Sequence, residues 1–177
     1  MKITSRSCAV ITRSVVVGLV LAFSALSASA ATIAGDLTFS GDFSAGGPLS
    51  IATSLSFPAN DFDVDGSSGD FSGIAQGDIG SISDFNLVGP AQFSIAGFSF
   101  NISDIQVVTQ SDAFLLLTGT GTVTAAGFDA TDVVFALSAN VNGPLSNFSA
   151  GASAIPLPGA LILFGSALAG ALGFRRR

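Results

Sequence analysis

Apolar side chains return at every second position over short runs of this chain, with polar or very small residues between them. From 49 to 57, Leu49, Ile51, Leu55 and Phe57 share one parity, opposite Ser50, Ala52, Ser54 and Ser56. Val133, Phe135, Leu137, Ala139 and Val141 repeat the arrangement. A period of two belongs to a strand with one buried face. Between 92 and 102 the phase slips, because Phe93 and Ile95 are odd whereas Phe98, Phe100 and Ile102 are even. A one-residue bulge at Ala96 and Gly97 would return both halves to one face. Gly, Pro, Asn and Asp interrupt the runs at short intervals, and no segment from 31 to 154 sustains a helical period. The pattern predicts an all-β domain, an antiparallel β-sandwich of roughly eight to ten short strands. Residues 61–80 read as irregular. Four Gly-Asp-hydrophobe units, starting at Gly35, Gly41, Gly69 and Gly77, read as hairpin turns.

The ends of the chain follow a different pattern. Lys2, Arg6 and Arg13 precede an apolar stretch at 15–26, and Ala28-Ser29-Ala30 forms a small-residue cleavage site. Residues 1–30 therefore read as a signal helix removed by signal peptidase between Ala30 and Ala31. Cys8 lies ahead of the apolar stretch, where it cannot be the lipidated residue of a lipoprotein, and would leave with the signal. At the other end, residues 155–174 are uncharged, about the length that crosses a ~30 Å hydrocarbon core as a helix, and Arg175, Arg176 and Arg177 follow. Cations beside a span stay cytoplasmic, so the domain is expected on the other side of the membrane. Residues 149–154 are small and uncharged and read as a flexible linker. The expected order is a signal at 1–30, a β-sandwich at 31–148, a linker at 149–154 and a transmembrane helix within 155–177.

Pro156, Leu157 and Pro158, the Gly/Ala-rich apolar segment with Leu163 to Ser166 near its start, and the closing Arg175, Arg176 and Arg177 together resemble the PEP-CTERM sorting domain in its VPLPA-like variant. Leu157 stands where the eponymous form has Glu. The resemblance covers only the last 23 residues. It implies secretion across the inner membrane, transient retention there as a single-pass protein, and cleavage near the Pro motif by an exosortase. It also implies delivery to the cell surface or extracellular matrix of a bacterium that makes extracellular polysaccharide. A plain C-terminal membrane anchor is the alternative.

Charge separates the domain from its ends. All six basic residues lie in the two terminal segments, so residues 31–154 carry twelve Asp, no cation and a formal charge of −12. That stretch also lacks Glu, Cys, Met, Tyr and Trp, while holding thirteen of the sixteen Phe. A surface without cations excludes a general affinity for nucleic acid or anionic lipid. Without cysteine, stability has to come from core packing and backbone pairing.

Three features bear on chemistry. Asp61, Asp63, Asp65 and Asp70, with Gly66 among them, resemble the start of an EF-hand-type loop and suggest Ca²⁺ as the one possible cofactor. Ser72 stands where such a loop has a bidentate Glu, and the alternative is an acidic surface segment with Phe62 and Val64 turned inward. Thr118, Thr120, Thr122 and Thr124 share one face of a strand, an arrangement found on ice-binding surfaces but also ordinary for a half-exposed strand. Asp61 with Asp63, or Asp129 with Asp132, supplies the paired carboxylates of a glycosidase. No His, Lys, Cys or Arg accompanies them, and no Tyr or Trp could stack a sugar, so no catalytic residue is assigned. The expectation is a non-enzymatic structural or binding protein, with a calcium-stabilised adhesion or carbohydrate-binding module as the alternative.

Overall fold

The structure, a computed structural model, describes residues 30–142 and 145–155. The expected signal and transmembrane helices, at 1–30 and 155–177, lie almost wholly outside that range. Among the described residues no helix is long and apolar enough to cross a membrane. Twelve strands follow in chain order: β1 (Ala31–Thr32), β2 (Gly35–Asp42), β3 (Ser54–Leu55), β4 (Asp61–Ser67), β5 (Ile79–Ile82), β6 (Phe85–Asn86), β7 (Ala91–Ile95), β8 (Phe98–Gln110), β9 (Phe114–Thr124), β10 (Phe128–Asp129), β11 (Thr131–Asn142) and β12 (Leu145–Ala154).

Eight of these strands close on themselves. In the order β2, β4, β5, β7, β8, β9, β11, β12 each pairs antiparallel with the next, and β12 returns to β2. The all-β expectation holds, but the architecture is an up-and-down barrel rather than a sandwich. A sandwich and a barrel both need one apolar face per strand, so alternation alone does not separate them. What separates them here is the closing strand. Residues 149–154, which read as a linker, form the second half of β12, between β11 and β2. Ala150 lies opposite Leu137 and Phe39, and Ala152 opposite Phe135 and Leu37. These alanines are buried. They are small because their neighbours on both sides are large.

Three further readings change. Ala96 and Gly97 are not a bulge: with φ of 49° and 86° they form the two-residue turn of the β7–β8 hairpin. The chain reverses there, which places Phe93 opposite Phe100 and puts odd and even residues on one inner face. The bulges fall elsewhere, where Asp65, Ser103 and Val108 are each the extra residue of a shifted register. The run at 49–57 is a 3₁₀ turn, Leu49–Ile51, followed by the short β3; Leu49, Leu55 and Phe57 are buried, but Ile51 is 75% exposed. Of the four Gly-Asp units, the first two lie in or at the end of β2, the third opens the 3₁₀ turn Gly69–Phe71, and only the fourth is a turn leading into a strand.

Phenylalanine fills the interior. Ring centroids connect Phe85 to Phe57 at 5.8 Å, Phe57 to Phe148 at 5.1 Å, Phe148 to Phe39 at 6.2 Å and Phe39 to Phe93 at 5.0 Å. The line continues from Phe93 to Phe100 at 4.3 Å, Phe100 to Phe71 at 5.7 Å, Phe71 to Phe98 at 4.8 Å and Phe98 to Phe128 at 6.4 Å. It runs from one pole of the barrel to the other. Each such pair adds about 0.5–1.5 kcal/mol beyond the area it buries. The poles are plugged by the short pairs: antiparallel β3 with β6 at one, and parallel β1 with β10 at the other. Outward faces carry mainly Ser, Thr, Asn, Asp and Gly, with Ile79, Val107, Val108 and Val134 exposed among them.

Candidate functional site

Aromatic rings fill the barrel interior, and the outer wall is the surface that the fold presents to a ligand. Its most charged part is the β2–β4 pair. Asp61, Asp63 and Asp65 are exposed while Phe62 and Val64 point into the core, so this segment, expected to be irregular, is a barrel strand. Asp61 and Asp63 project from the same face of this strand, with Cα atoms about 6.6 Å apart. The bulge diverts Asp65, whose Oδ1 accepts a hydrogen bond from the Ser40 hydroxyl at 3.0 Å. Asp70 is elsewhere, in the 3₁₀ turn, where Oδ2 accepts the Ala34 N–H at 2.8 Å. The four residues of the presumed calcium loop are therefore not brought together. Among the described residues no three His, Cys, Asp or Glu side chains are grouped to hold a metal.

Strand pairing introduces a residue the linear motif lacks. Asp42, at the end of β2, joins Asp61 and Asp63 around a depression of ≈ 270 Å³, with Gly41, Pro58, Ala59 and Phe62. The two segments are far apart in sequence, and only the β2–β4 register reveals their proximity.

Other carboxylates hold local structure, two of them through backbone amides and others through side chains. Asp84 Oδ1 accepts the N–H of Phe57 at 2.8 Å, and Asp78 Oδ2 that of Ala75 at 2.8 Å. Asp112 accepts from the Ser50 hydroxyl, and Asp104 Oδ1 from Gln106 Nε2 at 2.9 Å. The short Asp side chain reaches nearby amides in turns. Of the pairs considered for glycoside hydrolysis, Asp61 and Asp63 are neighbours along a strand beside Asp42, whereas Asp132 is exposed on β11 and Asp129 lies in β10.

The threonine row is confirmed as a row. Thr118, Thr120, Thr122 and Thr124 are all exposed on β9. Their partners are Gln106, Asp104, Asn101 and Ser99 on β8, and Ala136, Val134 and Asp132 on β11. No second threonine row flanks them. Beyond β11 the wall is built of very small residues, and Gly151 and Ala136 line a depression of ≈ 350 Å³ with Thr38 and Val134. No family model, no curated protein and no solved structure matches the chain.

Proposed function

We propose that this is an exported protein with a structural or binding role at the cell surface or in an extracellular matrix. Its C-terminal segment is read as a sorting signal that an exosortase-type enzyme removes. The observation that carries this reading is the division of charge: every Lys and Arg belongs to residues 2–13 or 175–177, and none to the 124 residues of 31–154. Cations at the outer flanks of two apolar segments are what membrane insertion uses. Once both ends are removed, an entirely anionic barrel remains.

The wall suits contact with hydrated polymer. It offers hydroxyl, amide and carboxylate groups, and no exposed aromatic ring on which a sugar could stack. Binding of polysaccharide through such a surface is weak per contact and gains strength by repetition. The competing reading, a calcium-stabilised adhesion or carbohydrate-binding module, has charge in its favour and geometry against it, since Asp61, Asp63, Asp65 and Asp70 do not converge. Calorimetric titration with Ca²⁺ separates the two: the first predicts no saturable uptake and no rise in melting temperature, the second predicts both. The export reading is tested by the mass of the protein released by its native host. It predicts a chain that starts at Ala31 and lacks Arg175, Arg176 and Arg177. A full-length tail found only in the membrane fraction would contradict it.

A further inference from the structure

The strands place both exits of the chain at one pole. β1 pairs with β10, Ala31 opposite Phe128, and the Ile33 N–H is bonded to Thr131 Oγ1 at 2.9 Å. β12 ends at Ala154, paired with Val133 on one side and Gly35 on the other, and the Ile155 N–H is bonded to the Asp132 carbonyl at 2.8 Å. Residues 31–33 and 154–155 thus both dock on the start of β11. Residues 149–154, expected as a tether, belong to β12.

We infer that the pole closed by β1 and β10 is the membrane-facing surface of the precursor, and that its occupant is the lipid bilayer itself. This rests on the export reading above. Only five residue steps separate Ile155 from Ala160, and five separate Leu26 from Ala31, a reach of at most about 17 Å in either case. The opposite pole is about 20 Å further away, given the eight residues of β2 at ordinary barrel tilt. A rigid barrel held on so short a leash cannot present its β3/β6 pole to the bilayer. The facing pole carries Asp36, Asp70, Asp129 and Asp132 and no cation, so it is not itself attracted to anionic lipid. Attachment depends on the chain alone, and a cut just beyond Ile155 frees the barrel without breaking a barrel hydrogen bond.

The protein has no Trp or Tyr, so one introduced Trp is a clean reporter. Ala126→Trp sits in the β9–β10 turn at the facing pole, and Val88→Trp, at a residue 87% exposed, sits between β6 and β7 at the other. Each full-length variant is reconstituted into phosphatidylcholine vesicles bearing a headgroup spin label. Ser72→Trp and Ile51→Trp serve as a second pair, and circular dichroism verifies folding. The inference predicts quenching several-fold greater at 126 than at 88. Equal quenching, or the reverse order, with protein that floats with the vesicles overturns the pole assignment and leaves export intact. Protein that does not float at all removes the membrane-span reading, and the pole assignment with it.

Discussion

Asp84 illustrates what a single carboxylate does in this barrel. Its Oδ1 holds the partly buried Phe57 N–H, and Phe57 links the Phe85 plug to the ring line through Phe148. Asp84→Ala leaves that amide unpaired and is expected to cost about 1–3 kcal/mol in urea unfolding. Asp84→Asn, which keeps an acceptor, should cost less. Gly121 is equally constrained by steric fit: a Cβ there would lie 2.1 Å from the Asn101 carbonyl oxygen, where β8 crosses closely before its bulge at Ser103. Gly121→Ala is predicted to destabilise by about 1–3 kcal/mol or more, read from the shift in denaturation midpoint. Gly127, whose added Cβ would meet nothing within 4 Å, shows that not every glycine is held this way. Its positive φ of 86° is the reason for glycine there.

At the scale of elements, β12 is the decisive strand. Its inward residues Ala150 and Ala152 fit between larger side chains of β11 and β2, so Ala152→Leu overfills the interior and should lower stability by about 1–3 kcal/mol. A tether would tolerate the same change without effect. The strands with large inward residues were legible in the sequence: 133–141 by strict alternation, and 93–102 once the turn at Ala96 and Gly97 is recognised. β12 was not, because alanine alternating with Ser and Gly carries too little hydrophobic contrast to distinguish a strand from a linker. The smallness that hides it is imposed by Leu37, Phe39, Phe135 and Leu137, which are distant in sequence. Ile51 misled in the opposite sense, since its parity matched a strand while the backbone after Pro48 turns as a 3₁₀ helix. The candidate acidic site was half legible: Phe62 and Val64 place Asp61 and Asp63 outward, but Asp42 joins them only through strand pairing.

For the whole molecule, the charge of −12 on residues 31–154 has no internal counterweight. Net self-repulsion of this kind is relieved by screening. Raising NaCl from about 0.01 M to about 0.15 M shortens the screening length from ~30 Å to ~8 Å and is expected to raise the melting temperature of the exported domain. A domain held by surface ion pairs would respond in the opposite direction. The same charge disfavours contact with anionic surfaces. Closure of the barrel removes the free edges through which a β-rich chain could otherwise aggregate.

Closure by β12 fixes where Ile155 leaves the barrel, on which the proposed membrane-facing pole rests, so it is the feature most worth measuring. Amide hydrogen exchange on the exported domain, resolved across residues 146–154, reads it directly. With β12 paired to both β11 and β2, these amides should exchange as slowly as those of β11, in one cooperative unit. Exchange of 149–154 at the rate of an unstructured peptide, with β11 still protected, would contradict the closed barrel and restore the tether.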